Sequence, residues 1–398
     1  MSNCARTVLV VGGYAPSLVN FRGPILQSLR AAGHKVVATA AEDDAGIKKT
    51  LAEWGVCYHC VPLQRAGINP INDRRYLNGL WRLMEREQPD IVLAYTHKPV
   101  VYSALASARL ARPPRVYPLI TGLGFVFIGN GFKPWIARQV LKLLYRRASR
   151  HFAGVFFQNP DDQELFHKLG LVRPETPQRI VRGSGIDLSV FSYELLTPNA
   201  QHSTPRFLLI ARLLGDKGIR EYVASARQIK TTHPQVEFHL VGPNDPNPAA
   251  IPLSEVEVWQ REGTIIYHGL QSDVRPFLRA CTVYVLPSYR EGTPRTVLEA
   301  MATGRAVITT DAPGCRETVF DAASPDEGGV RAGRNGFLVP VKSIEALTAA
   351  MRRFIDDPSL AARMGTEGRC LAEEHYDVHQ VNRQMMEFMT LTSQLTPK

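Results

Sequence analysis

Two doubly wound α/β domains, each a parallel sheet with helices on both faces, are predicted for this chain of 398 residues. Three observations predict them. The length exceeds what one compact core usually organises. Short apolar runs alternate with amphipathic helical stretches in both halves. The apolar runs end in glycine-bearing or polar turns, where open parallel sheets bind ligands.

In the first half, Thr7–Gly13 reads as a buried strand ending in Gly-Gly, followed by a loop over 14–23 and a helix closing on Gly33. Strands KVVATAA, VCYHCVPL, PDIVLAYT, RVYPLIT and GVFFQN follow, with helices between them, the last a long basic one near 134–149. Domain one is expected over 1–192. The polar, proline-bearing stretch 193–205 is the expected linker, and domain two covers 206–376. There RFLLIARL, VEFHLVG, TIIYHG, TVYVLPS and AVITT are the strands. Three amphipathic helices near 344–355, 358–372 and 377–392 close the chain, and the last is expected to complete domain one.

Composition is that of an ordinary globular protein, 44% hydrophobic and 21% charged. No window approaches the eighteen or so apolar residues of a spanning helix. The N-terminal residues carry only Arg6 before the first strand, so no cleaved leader is expected. The six scattered cysteines fit a reducing cytosol. Cys57 and Cys60 alternate to opposite faces of a strand, and no metal or redox role is assigned to them.

The net charge of +10 is localised. Between Asp90 and Asp161 there is no acid, whereas Lys98, Arg109, Arg112, Arg115, Lys133, Arg138, Lys142, Arg146, Arg147 and Arg150 fall there. Removing those ten leaves 37 basic residues against 37 acidic ones. An anionic partner on one side follows. Within the segment, Phe125, Phe127, Ile128, Phe132 and Trp135 cluster in a glycine-punctuated loop ahead of the basic helix. Apolar wedge and basic face together suit an anionic membrane surface. An ordinary amphipathic helix, apolar face in the core, is the plainer reading. No nucleic-acid-binding module is recognisable.

The chemistry is expected around Cys281–Glu317. A strand ends in Pro287-Ser288, a turn carries Glu291-Gly292, and Thr293 is placed to cap a helix opening at Pro294. Glu291 and Glu299 then stand roughly 10–12 Å apart along the axis, about the reach of a diphosphate with a sugar at each end. Helix N-terminal N–H groups between them favour an anion. After the first strand of domain two, Arg212 and Lys217 bracket a turn and suit a departing diphosphate. Gly292 and Gly13 permit close backbone approach to a ligand. His97, at the end of PDIVLAYT, is placed to hydrogen-bond a donor sugar or an acceptor hydroxyl. The first loop lacks G-x-G-x-x-G, which argues against a dinucleotide enzyme. No Asp-x-Asp triplet occurs, so a metal-free site is expected, with no cofactor beyond a nucleotide-sugar co-substrate.

Taken together, ARLLGDKG, the Glu291-to-Glu299 spacing in REGTPRTVLEAMATGRAVITTDAPGCRE, and GSGID resemble family 4 of the retaining glycosyltransferases. The resemblance implies the GT-B fold, two Rossmann-like domains facing a central cleft. It implies that Arg212 and Lys217 hold the donor diphosphate, Glu291 meets the donor sugar, and Glu299 binds the ribose. It also implies retention of configuration, no metal requirement and a UDP-sugar donor. THKPVVYSALAS and LITGLGFVF are similar to bacterial N-acetylgalactosaminyltransferases that extend undecaprenyl-diphosphate-linked sugars. That similarity implies a lipid-linked saccharide acceptor, surface-glycan synthesis, and peripheral attachment to the inner face of the cytoplasmic membrane. There Phe125, Phe127, Phe132, Trp135, Lys133, Arg138, Lys142 and Arg146 would face acceptor or membrane. A UDP-sugar epimerase or phosphorylase, or a catalytically inactive membrane-associated scaffold, are the rival expectations.

Overall fold

The computed structural model describes residues 5–65, 67, 69–122, 132–196, 204–245, 247 and 249–391, with the backbone alone for 132–135 and 137. The chain forms two units, Met1–Ser184 with Val378–Lys398, and Gly185–Asp377.

In the first unit the strands are β1 (Thr7–Val11), β2 (Lys35–Ala40), β3 (Cys57–Cys60), β4 (Ile91–Tyr95), β5 (Arg115–Ile120), β6 (Val155–Phe157) and β7 (Gln178–Ile180). They lie in the order β3-β2-β1-β4-β5-β6-β7, all parallel. The order reverses between β1 and β4. β1 shows why both faces need helices. Leu9 and Val11 enter one apolar core, while Val8 and Val10 enter the other, as a two-residue period requires. The helix Val378–Phe388 packs in the second of these cores through Val381, Met385 and Met386. His34 Nε2 and the Leu391 carbonyl oxygen lie 3.0 Å apart, which pins the end of that segment.

The second unit repeats the plan. Its strands are β8 (Arg206–Ile210), β9 (Glu237–Val241), β10 (Ile266–Tyr267), β11 (Val283–Leu286), β12 (Ala306–Thr310), β13 (Arg331–Ala332) and β14 (Gly336–Val339). The order is β10-β9-β8-β11-β12-β14-β13, with only β13 antiparallel and the reversal between β8 and β11. Phe207 and Leu209 point to one core and Leu208 and Ile210 to the other. Ile186 and Phe191 are buried in the second of these cores, and Ile186 N–H bonds the Tyr376 carbonyl at 2.7 Å. Residues 197–203 of the polar stretch lie outside the described residues. Tyr193 lies against Gly304, where a Cβ would meet its ring at 2.6 Å, and Leu196 is buried.

Several elements differ from the expectation. The segment read as a loop over 14–23 contains a short helix, Ala15–Asn20, with Pro16 in its first turn, where its missing N–H is harmless. The helix Pro160–Lys168 and strands β7, β13 and β14 were not anticipated, because three of the four are under five residues. Thr293 is not the cap. The helix runs Arg295–Thr303, and Pro294, extended at ψ 106°, occupies the cap position without a side-chain bond.

Candidate active site

Parallel sheets bind ligands at the carboxyl ends of strands where the order reverses. In the second unit that point lies between the loops after β8 and β11, which bear Arg212, Lys217 and Glu291. The two loops are fastened together. Tyr289 N–H donates to the Asp216 carbonyl at 2.8 Å, and the Ser288 hydroxyl donates to the same oxygen at 3.2 Å. Gly218 makes the approach possible. Its φ is +70°, and a Cβ there would collide with the Pro287 carbonyl.

Lys217 Nζ consequently reaches Glu291 Oε1 at 2.5 Å, and the Ser288 hydroxyl donates to the same oxygen at 2.8 Å. The Lys217 and Glu291 side chains are only 14% and 19% exposed. Burial alone would pull the ammonium's pKa down, but the Glu291 carboxylate outweighs it and holds Lys217 above its ordinary value. The Glu291 backbone is set by its N–H bond to the Pro313 carbonyl at 2.9 Å. Gly314, at φ +81°, lies so close beneath that a Cβ would strike the carbonyl oxygens of both Glu291 and Gly292. Arg212 is more exposed, at 57%, and is tethered to Asp245 Oδ2 at 2.7 Å.

Glu299 is not an exposed helix carboxylate. It is 7% exposed and accepts from Arg295 Nε, one turn earlier, at 3.0 Å. Burial raises its pKa, against the opposing pull of Arg295. Asp245, Ser288, Arg295 and Gly314 were not singled out in the sequence. For Ser288 the available signal was its place three residues before Glu291, and for Arg295 the i,i+4 spacing to Glu299.

In the first unit the reversal lies between the loops after β1 and β4. Gly13 is there, where a Cβ would meet Thr96 Oγ1 at 3.2 Å. Thr96 has φ +68° and ψ 155°, a region almost reserved for glycine. This strained residue immediately precedes His97, whose Nδ1 lies 2.9 Å from the Tyr145 hydroxyl. Tyr145 is fully buried, which pushes its phenol well above the ordinary value and keeps it protonated.

Tyr145 sits on the basic helix, Phe132–Ala148. Phe125 and Phe127 lie outside the described residues, as do the side chains of Phe132, Lys133 and Trp135. Arg138 and Lys142 are partly buried and Arg146 is exposed. Ile136 and Leu143, two turns apart on one face, are 40% and 68% exposed. Arg146, Arg150 and Arg173 line an open depression of about 560 Å³ beside the helix end. Among the described residues, no helix is long and apolar enough to cross a membrane.

Residues 23–182 match the glycosyl transferase 4-like domain, and residues 204–357 match glycosyl transferases group 1. One curated relative is the N,N'-diacetylbacillosaminyl-diphospho-undecaprenol alpha-1,3-N-acetylgalactosaminyltransferase of Campylobacter jejuni. It is 31% identical over 315 residues, 77% of this chain and 81% of the relative. This chain belongs to the family 4 glycosyltransferases. Another such transferase, the UDP-Gal:alpha-D-GlcNAc-diphosphoundecaprenol alpha-1,3-galactosyltransferase of Escherichia coli, is 25% identical over 75% of each chain. Its relatives are transferases, which gives no support to the epimerase, phosphorylase or inactive-scaffold alternatives. The GT-B fold of the glycosyltransferase is shared with Anabaena HepE, solved with UDP and glucose. That structure has a TM-score of 0.74 at 17% identity and covers 97% of this chain and 100% of its own.

Proposed function

We propose that this glycosyltransferase moves an N-acetylhexosamine from a UDP-sugar to a membrane lipid-diphosphate-linked saccharide in bacterial surface-glycan synthesis, with retention and without a metal. The observation that carries the reading is the Lys217–Glu291 pair at the reversal of the second sheet. Its support in sequence is the Campylobacter relative, whose named substrate is a diphospho-undecaprenol sugar. The donor's diphosphate takes Lys217 and Arg212 as counter-charges, which neutralise it as it departs and stand in for a cation. Glu299 accepts the ribose hydroxyls, and Gly292 and Thr293 bring backbone against the diphosphate. Glu291, freed from Lys217 by the incoming phosphate, accepts from a hydroxyl of the sugar being moved. The acceptor hydroxyl attacks on the face the diphosphate leaves, and a diphosphate oxygen takes its proton. The glycosidic C–O bond to phosphate breaks as the new one forms. His97, oriented by Tyr145, hydrogen-bonds at the acceptor side. The exposed Leu143 and the neighbouring arginines hold the protein on the anionic inner leaflet of the cytoplasmic membrane.

The test uses radiolabelled UDP-N-acetylhexosamines with an undecaprenyl-diphosphate-linked monosaccharide, in EDTA. Label should enter the organic phase, and NMR of the product should show the donor's anomeric configuration kept. Inversion, or a requirement for added divalent metal, would overturn those parts of the reading. Absence of transfer from every UDP-sugar would overturn all of it.

A further inference from the structure

We infer that Tyr14, Glu42 and Arg65 form a saccharide platform on the first unit that receives the acceptor's sugar; the inference rests on the proposed saccharide acceptor. The three residues follow β1, β2 and β3, so topology gathers them along the carboxyl edge of one sheet, beside its reversal. Tyr14 is 43% exposed, and the Arg65 guanidinium carbon stands 4.5 Å from its ring centroid.

Glu42 is fixed from two sides. Its Oε2 accepts the Ala15 N–H at 2.8 Å, and its carbonyl accepts the hydroxyl of the nearly buried Tyr58. The other carboxylate oxygen, Oε1, is 3.8 Å from Arg65 Nη1. That gap is too long for a direct hydrogen bond and suits a hydroxyl seated between the two groups. Glu42 and Arg65 side chains remain 38% and 55% exposed, so the pair contributes little to the fold. A partly exposed aromatic ring with the Arg65 guanidinium over one side, a fixed acceptor and a planar donor fork are what a pyranose needs. Its C–H face packs on the ring, its hydroxyls or acetamido N–H donate to Glu42, and a hydroxyl oxygen accepts from Arg65.

The experiment is saturation-transfer NMR of the full chain with N-acetylglucosamine linked through diphosphate to a short polyprenol, for wild type, Tyr14→Ala, Tyr14→Phe and Arg65→Ala. Wild type and Tyr14→Phe should saturate the sugar protons alike. Tyr14→Ala and Arg65→Ala should bind about tenfold more weakly, with UDP affinity and melting temperature unchanged. Sugar binding equal to wild type in both weakened variants overturns the platform, as does no sugar saturation in the wild type. A chain that loses sugar binding on Tyr14→Ala yet transfers nothing to lipid-linked saccharide keeps the platform and refutes the proposed reaction.

Discussion

Lys217 and Glu291 lie 74 positions apart in sequence, yet their ammonium and carboxylate meet at 2.5 Å. The pair is mostly enclosed, so removing one partner strands the other in a poorly solvated place. Lys217→Ala should abolish transfer and destabilise the protein by about 3 kcal/mol. Adding Glu291→Gln should recover part of the stability and none of the activity. The sign of the pH dependence follows from a lysine held above its ordinary value. The pair's stabilisation is complete below the ordinary lysine range and fades only as pH climbs through the raised value. Denaturant melts of the single and double variants, with transfer assays, check both halves.

Glu299 gives the opposite expectation. Its carboxyl is raised by burial, so the folded protein holds that proton more tightly than the unfolded chain does. The resulting stabilisation is full below the ordinary carboxyl range and is lost as pH rises through the folded value. Glu299→Gln should therefore melt at or above the wild-type temperature at pH 7, and that advantage should vanish in acid. Calorimetric affinity for UDP should fall about tenfold, the order expected when hydrogen bonds to a charged group are lost. Unchanged UDP affinity would remove its ribose role.

Gly314 supports Glu291 from below, and substitution there combines two penalties. Gly314→Ala forces a β-carbon into two carbonyl oxygens and holds alanine at φ +81°. Gly263→Ala is the control, since it has φ +70° and nothing within 4 Å of the added carbon. The control should lose roughly 1–2 kcal/mol from the left-handed backbone alone. Gly314→Ala should lose more and should also depress transfer, because the Glu291–Gly292 turn must move. Equal melts and equal activity would refute the supporting role.

Much of this arrangement is legible in the sequence and some is not, for identifiable reasons. Strong periodicity places Ile219–Lys230 and Ala306–Thr310 to the residue, because each has a full amphipathic or buried pattern. Ala15–Asn20 hides behind Pro16 and Gly23, which read as turn residues although the proline stands harmlessly in a first turn. β7 is three residues long with two exposed, too short to show a period. Arg212, Lys217, Glu291 and Glu299 are recognisable by type and spacing. Their partners are not, since the approach of Lys217 to Glu291 depends on the Asp216 carbonyl bonds and on a glycine at 218. Asp245 holds Arg212 from the end of a different strand, a contact no local pattern announces.

His97 and Tyr145 should behave as one unit. Tyr145→Phe keeps the ring packed against Phe166, whose centroid is 5.2 Å away, and removes only the hydroxyl at His97 Nδ1. Loss of that one bond should cost about 1 kcal/mol of stability and reduce kcat several-fold. His97→Ala should reduce it further, and the double variant should match His97→Ala alone, because Tyr145 acts through the imidazole. Additive effects on kcat would show that the two residues work independently.

The basic helix offers a test of membrane attachment that leaves the Lys217–Glu291 site untouched. Leu143 is 68% exposed, an apolar side chain in water on the same helix as Arg146 and Arg147. Arg147 and Arg150 are both exposed. Leu143→Asp removes the apolar contact, and Arg147→Glu with Arg150→Glu inverts two charges, each worth about 1 kcal/mol near an anionic surface. Wild type should sediment with phosphatidylglycerol vesicles at low salt and be released as salt screens the attraction. Leu143→Asp should weaken sedimentation at all salt concentrations, while the arginine inversion should flatten the salt dependence. Both variants should keep wild-type binding of UDP-sugar in solution. Sedimentation indifferent to both changes would rule out this helix as a membrane contact.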